Sequence, residues 1–224
     1  MGNISMYTYG KDYHTIIEAL LSEVAEYIHT EYPTAKVSIH VDKGEGNDKQ
    51  AAYDAGLGFI GTNSLLINEQ YGSYVFIGYL ETDLVLPPDS PTGAACLKCG
   101  KCEQSCPGGA IKNGKITVEK CASHLTQKRG ELSDAEEEII RKSGLVWGCD
   151  ICQSVCPHNQ APPLSPIAAF YEDLIFNLRP MNMTNKAFSA LYKNRAFSWR
   201  GKAVLNRNLE ILSRHKNENE GHSN

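Results

Sequence analysis

From Asp12 onward, apolar side chains fall at Ile16, Ile17, Leu20, Leu21, Val24 and Ile28. That three-and-four spacing lays one stripe along a helix. Asp12 is a good cap for its start, and Pro33 bounds its end. Before it, Ile4 to Tyr9 reads as a short strand. After it, Val37, Ile39 and Val41 alternate with Ser38, His40 and Asp42, the period of a half-buried strand. Asp42 closes that strand, at the end where α/β architectures gather ligands. Gln50 to Leu57 reads as a short helix stopped by Gly56-Leu57-Gly58. Ser64 to Asn68 and Ser73 to Leu80 read as strands paired with each other, with Gln70-Tyr71-Gly72 near the turn. The helical pattern returns over 184–216 as two helices, the second carrying Trp199, Val204, Leu205, Leu209 and Leu212.

Prolines divide these elements. Pro87, Pro88 and Pro91 mark a linker, and Pro162, Pro163, Pro166 and Pro180 mark an irregular stretch over 162–180. The expected organisation is a mixed α/β domain over 1–86, a linker over 87–95, a cysteine-bearing domain over 96–160, a basic helical segment over 161–216 and a disordered polar tail over 217–224. A chain of 224 residues with 42% apolar side chains is long enough for such an arrangement. Its 21% charged residues and mean hydropathy of −0.35 argue against wholesale disorder. No apolar run approaches the roughly 20 residues that span a bilayer. The first residues lack a charged segment followed by an apolar one, so no leader is expected. A cytoplasmic protein with no membrane partner is the expectation.

The net charge of −4 conceals a split. Residues 179–216 hold nine Lys/Arg and one acid, Glu210, while the remainder holds 13 basic and 25 acidic side chains. A basic arm on an acidic body points toward a polyanion, or toward a solvated helical face.

Eight cysteines, all between 96 and 156, change the picture. The first run is Cys96-x2-Cys99-x2-Cys102-x3-Cys106-Pro107, the spacing that ligates a cubane iron–sulfur cluster and donates its fourth cysteine to a second one. The second run, Cys149-x2-Cys152-x3-Cys156-Pro157, lacks its leading cysteine, and Cys121 alone is left to replace it. Cys96, Cys99, Cys102 and Cys156 then hold one 4Fe–4S cluster, and Cys106, Cys121, Cys149 and Cys152 the other. Zinc prefers two paired CxxC knuckles, and disulfides conflict with the expected compartment. The fold class is therefore α+β: a small mixed α/β domain, a bacterial-ferredoxin-like double-cluster domain and a C-terminal helical segment. Two clusters with crossed ligands form an electron wire, so something must receive the electrons.

The chain resembles the tRNA epoxyqueuosine reductases, cobalamin-dependent iron–sulfur enzymes. The resemblance rests on Tyr9-Gly10-Lys11-Asp12-Tyr13-His14, Val41-Asp42, Ala55-Gly56-Leu57-Gly58-Phe59-Ile60-Gly61, Leu65-Leu66-Ile67, Tyr71-Gly72-Ser73 and Thr82-Asp83. It continues through the cysteine region, including Cys121-Ala122-Ser123-His124-Leu125-Thr126 and Gly148-Cys149-Asp150, to Trp199-Arg200-Gly201-Lys202 and Arg207-Asn208. It implies a base-off cobalamin between the α/β domain and the cluster domain, reduced by the clusters and acting on the epoxide at the tRNA wobble base. It implies Asp42 as the acid that protonates the departing oxygen, a role that calls for a pKa raised by burial. It implies cobalamin contacts at Asp42, Leu66, Ile77 and Ser123, largely through backbone. It implies tRNA contact by the basic arm and a reduced flavodoxin- or ferredoxin-type electron donor. His14 reads as a hydrogen-bonded histidine near a helix start. Tyr13, Tyr53, Phe59 and Trp199 read as packing or as surfaces for a base.

The chain differs from the family at Lys43 to Lys49, where a Pro and a Glu-Arg pair are usual, and at Gly61-Thr62-Asn63, which lacks a lysine. The resemblance also implies a shortened α/β domain, partial for cobalamin binding, and no C-terminal helical repeats. The differences gather on the cobalamin side, so a two-cluster electron carrier without the cobalamin reaction is the alternative expectation, and a structural cluster protein that binds RNA a third.

Overall fold

A computed structural model describes residues 2–44 and 46–220. The chain starts with β1 (Gly2–Ile4) and a 3-10 turn over Met6–Thr8. Helix α1 (Tyr13–Glu31) follows, capped by Asp12, whose carboxylate accepts the His14 N–H. Then come β2 (Val37–His40), α2 (Asp48–Asp54), β3 (Phe59–Ile60), β4 (Leu66–Ile67) and β5 (Tyr79–Thr82). The strand expected over Ile4 to Tyr9 lies earlier, because Thr8 and Tyr9 donate their N–H groups back to Ser5 and Met6 and tighten that stretch into a turn.

The two strands expected to pair with each other do not. Strand β2 pairs antiparallel with β5, Val37 opposite Thr82 and His40 opposite Tyr79. Strand β4 pairs instead with β3. The turn at Gln70 to Gly72 closes onto Asn68 in a lone bridge, with the Gln70 and Tyr71 N–H groups taken by the Asn68 side chain and the Gly72 N–H by the Asn68 carbonyl. Helix α1 packs on the β2–β5 pair. Ile16 and Ala25 are buried, while Val24 and Tyr27 face outward.

The cysteine region supplies α3 (Lys101–Ser105), the hairpin β6 (Ile111–Lys112) and β7 (Lys115–Ile116), α4 (Ala122–Gln127), α5 (Asp134–Ser143), β8 (Leu145–Trp147) and α6 (Ile151–Ser154). Ser133 and Glu136 form a reciprocal cap at the start of α5. The last part holds β9 (Asn177–Leu178), α7 (Asn185–Tyr192), a 3-10 turn over Ser198–Arg200 and α8 (Lys202–Glu220). Trp199 belongs to that turn rather than to the helix. The tail expected from 217 is helical as far as Glu220, and 221–224 lie outside the described residues.

A three-stranded sheet, β8-β1-β9, joins the regions. Strand β1 runs parallel to β8 and antiparallel to β9, so the first residues insert into the core of the later domain rather than staying with 1–86. A Cβ on Gly2 would fall 2.3 Å from Val146 Cγ2, so glycine is what lets β1 sit this close. Around the sheet lies the main core of Ile4, Val146, Trp147, Leu178, Met181, Phe188, Phe197, Val204, Leu205 and Leu209. Removing these apolar side chains from water is the principal drive that holds N- and C-terminal segments on the cysteine region.

Candidate functional site

All eight cysteines carry free thiols, and Cys99 is the exposed one. Four of them, Cys96, Cys99, Cys102 and Cys156, line one small cavity, walled by Thr62, Asn63 and Ile67 on one side and Pro157 and His158 on another. Among the other four, Cys149 and Cys152 have strongly shifted thiols. Burial, with Cys121, Asp150 and Cys106 nearby, pushes the Cys149 thiol up to about 11. Burial, with Cys149, Cys121, Cys106 and Cys102 nearby, pushes Cys152 up to about 12. Thiols so placed cannot ionise together unless a cationic group binds them. Among the described residues, no three His, Cys, Asp or Glu side chains converge on a point that would hold one metal ion. The donors are all thiols, eight in number, which is the donor set of two cubanes.

Local structure places each thiol. Cys102 sits on α3, and Cys106 ends it, its sulfur accepting the Ala110 N–H at 3.3 Å. Cys121 begins α4. Cys149 follows Gly148, whose φ of +69° and 2.4 Å approach of a would-be Cβ to Ser5 exclude other residues. Cys152 lies on α6, which packs against α3. Asn208 ties the segments together: it is fully buried, and its Nδ2 donates to the Thr126 and Val146 carbonyls, both at 2.8 Å. Thr126 Oγ1 in turn accepts the Gly148 N–H at 3.0 Å. The start of α4 and the approach to Cys149 are therefore clipped to one side chain of α8.

Asp42 follows β2 in a left-handed conformation, φ 57°. Its Oδ2 accepts the Tyr13 hydroxyl and lies 3.4 Å from His14 Nε2. The other nitrogen of His14 is 2.7 Å from Asp12. Tyr13 stacks between His14 and Phe76, with centroid distances of 4.2 and 4.3 Å. Burial, reinforced by Asp42, holds the Tyr13 phenol far above its ordinary range, so it stays a proton donor toward Asp42. The burial expected of Asp42 is not found, since its side chain is 49% exposed. What surrounds it is polar: one phenol and one imidazole. Nothing in the spacing of Asp12, Tyr13 and His14 reveals that they meet the end of β2, because the helix start and the strand end are brought together only by packing.

The other expected contacts are scattered through the fold. Leu66 is buried in β4. Ile77 adjoins Phe76, which stacks on both Tyr13 and Phe170. Ser123 lines an open cavity of about 340 Å³ with Cys121, His124, Lys128 and Arg200, where Arg200 Nε is buried and unpartnered. Lys128 Nζ is taken by Glu136, which leaves the Arg200 guanidinium as the unpaired cationic donor on this wall. Of the aromatic candidates, Phe59 is buried against His158. Trp199 is exposed, with the Arg200 guanidinium 3.8 Å over its ring.

Much of the basic arm serves the fold itself. Arg195 donates to the carbonyls of Tyr9, Gly10 and Asp173, and Arg207 to those of Leu125, Lys128 and Gly130. Lys202 donates to the Met183 carbonyl, and Arg214 pairs with Glu137. Arg179, Lys186 and Lys193 remain exposed. The Lys216 side chain lies outside the described part.

Residues 95–159 match the family described as a 4Fe-4S double cluster binding domain. The fold and its thiols thus define an iron–sulfur protein with two 4Fe–4S clusters. Residues 1–43 match the family described as epoxyqueuosine reductase QueG, DUF1730. The epoxyqueuosine reductase of Leadbetterella byssophila is 37% identical over 93% of this chain and 70% of its own length. That of Lactococcus garvieae is 35% identical over 93% of this chain and 60% of its own. A solved epoxyqueuosine reductase superposes with a TM-score of 0.86 at 29% identity, over 94% of this chain and 57% of that one. Another, solved with an epoxyqueuosine-modified tRNA-Tyr stem loop, superposes at 0.85 with the same identity and coverage. The chain belongs to the epoxyqueuosine reductase family. It spans about 60% of the length of the Lactococcus relative and just over half of the solved structures. Among the described residues, no helix is long and apolar enough to cross a membrane.

Proposed function

We propose that this chain reduces epoxyqueuosine to queuosine at the wobble position of tRNA, with Cys96, Cys99, Cys102 and Cys156 holding one 4Fe–4S cluster, Cys106, Cys121, Cys149 and Cys152 the other, and cobalamin as the cofactor that meets the substrate. The observation that carries this reading is Asp42, half exposed and supplied with a proton donor, on a fold that superposes on a family member solved with modified tRNA. Removing the epoxide oxygen takes two electrons and two protons and releases it as water. Cobalamin, when bound, supplies the metal that delivers electrons to the substrate. Leu66 and Ile77 offer backbone groups to it, and Ser123 a hydroxyl. Asp42 gives its proton to the departing oxygen. Tyr13 positions the carboxyl through its hydroxyl, and His14, anchored by Asp12, fixes the carboxyl's orientation. Exposed Arg179, Lys186 and Lys193 contact tRNA phosphates, which makes binding salt-sensitive.

The electron donor is a reduced flavodoxin- or ferredoxin-type protein. Its entry is the loop where exposed Cys99 is flanked by exposed Leu97, Lys98 and Lys101, with no acid between 96 and 102. Cytoplasmic location follows from the tRNA substrate and the oxygen-sensitive clusters.

The test is anaerobic reconstitution with iron, sulfide and cobalamin, followed by conversion of epoxyqueuosine-tRNA. Wild type is expected to convert it. Asp42→Asn is expected to lose conversion by about 10²–10⁴-fold, the usual contribution of a general acid, with its cluster absorbance unchanged. Full conversion by Asp42→Asn would sink the proton-donor role. Intact clusters with no cobalamin retention would favour the electron-carrier reading instead.

A further inference from the structure

The cavity at Cys96 has two buried nitrogens on its walls with no partner among the described residues. Asn63 is 2% exposed. Its Oδ1 accepts the Leu65 N–H at 3.4 Å, which sets the amide's orientation and leaves Nδ2 as the free end. That Nδ2 is buried without a partner, and so is His158 Nε2. Both residues line the cavity with Cys96, Cys99, Cys102 and Cys156. The His158 ring is held by the edge of Phe59 at 5.0 Å, so it cannot simply turn outward. Thr62 Oγ1 adds a contact at 3.4 Å from Cys96 Sγ, and the Lys98 N–H another at 3.4 Å.

A buried donor with no acceptor costs about 1–3 kcal/mol. Asn63 Nδ2 is a fixed donor and His158 Nε2 is one in its Nε2–H tautomer, and together they are expensive unless an anion accepts from them. A cubane with four thiolates is that anion: its sulfurs carry negative charge and accept weakly. Reduction adds one electron and no proton, so the charge grows by one unit and every N–H aimed at the sulfurs gains in strength. Donors here therefore favour the reduced form.

We propose that Asn63 Nδ2 and His158 Nε2 donate N–H···S hydrogen bonds to the cluster at Cys96, Cys99, Cys102 and Cys156 and raise its reduction potential. Asn63 comes from the N-terminal α/β lobe, between β3 and β4, and His158 from the end of the cysteine region. The lobe that carries Asp42 thus sets the potential of a cluster bound next door. Electron transfer balances simply: the carrier loses one electron, the cluster gains one, and no bond is made or broken. The inference rests on the ligand division proposed above.

The experiment is a redox titration of the reconstituted full chain, with each cluster followed by EPR. Asn63→Leu, similar in shape and lacking the donor, is expected to disfavour reduction of one cluster about tenfold, a fall of ~59 mV for one electron. His158→Leu is expected to do the same, and His158→Gln, which keeps an N–H, to recover most of the loss. The other cluster's midpoint is expected to stay within a third of that shift. Unchanged midpoints in Asn63→Leu and His158→Leu, or equal shifts of both clusters, would overturn the proposal. If Asn63→Leu loses iron, the two His158 variants decide alone. Iron and sulfide analysis comes first: wild type that reconstitutes far below about eight irons removes the ligand division, and this inference with it.

Discussion

Replacing Asn208 with alanine tests how the cysteine region is held. The side chain is fully buried, and its amide nitrogen serves two carbonyls, Thr126 and Val146, at 2.8 Å each. Its Oδ1 also accepts from Arg207 at 2.9 and 3.1 Å. Asn208→Ala leaves two buried acceptors bare at a cost of about 1–3 kcal/mol each, or about 2–6 kcal/mol in all. Arg207 keeps its three carbonyl partners, so its charge is not stranded. The measurement is urea unfolding by far-UV circular dichroism and by the fluorescence of Trp147, which has no exposed surface. With a slope of about 2 kcal/mol per molar, the midpoint is expected to fall by about 1–3 M. The loosened Thr126 also frees the Gly148 N–H beside Cys149, so iron is expected to leave the second cluster first. A loss below about 1 kcal/mol, or iron lost first from the Cys96 set, would refute the clip.

Two further outcomes are expected. Lys98→Glu/Lys101→Glu is expected to slow reduction by reduced flavodoxin about tenfold at low salt, converging with wild type as salt rises, whereas Lys36→Glu on the far lobe leaves the rate unchanged; stopped-flow bleaching of the cluster absorbance reads both, and no effect at Lys98 and Lys101 would remove that loop as the entry. Burial holds the Tyr7 and Tyr13 phenols well above the ordinary value near 10. Their stabilisation is complete below about pH 10 and drains away as pH rises above it, because the unfolded phenols ionise first. Phenolate absorbance is expected to show these two ionising only as circular dichroism reports unfolding, and full tyrosine titration on an intact fold would refute this.

Much of the fold was legible along the chain because it obeys local rules. The three-and-four spacing from Ile16 to Ile28 and the cap at Asp12 marked α1, and alternation from Val37 marked β2. Backbone geometry imposes those periods whatever lies nearby. The cysteine spacing likewise proposes a division of the eight thiols from local rules alone, since a cubane takes neighbouring ligands from consecutive turns of one chain. Family-like segments on either side pointed to Asp42 by correspondence, and physics added only its place at a strand end.

Contacts between distant residues obey no such rule. A strand's pattern states which face is buried but not which edge it joins, so β2 found β5 and β1 crossed into the sheet with β8 and β9. Charge counted along 179–216 looked like a surface for a polyanion, yet Arg195, Lys202 and Arg207 are used on backbone carbonyls, because a buried carbonyl left over from packing demands whatever donor is near. Tyr13 against Asp42, Asn208 between α4 and β8, and Asn63 beside Cys96 belong to the same class. Period and spacing are properties of a segment. Satisfying donors and acceptors is a property of the surfaces that meet, and only the folded chain sets those.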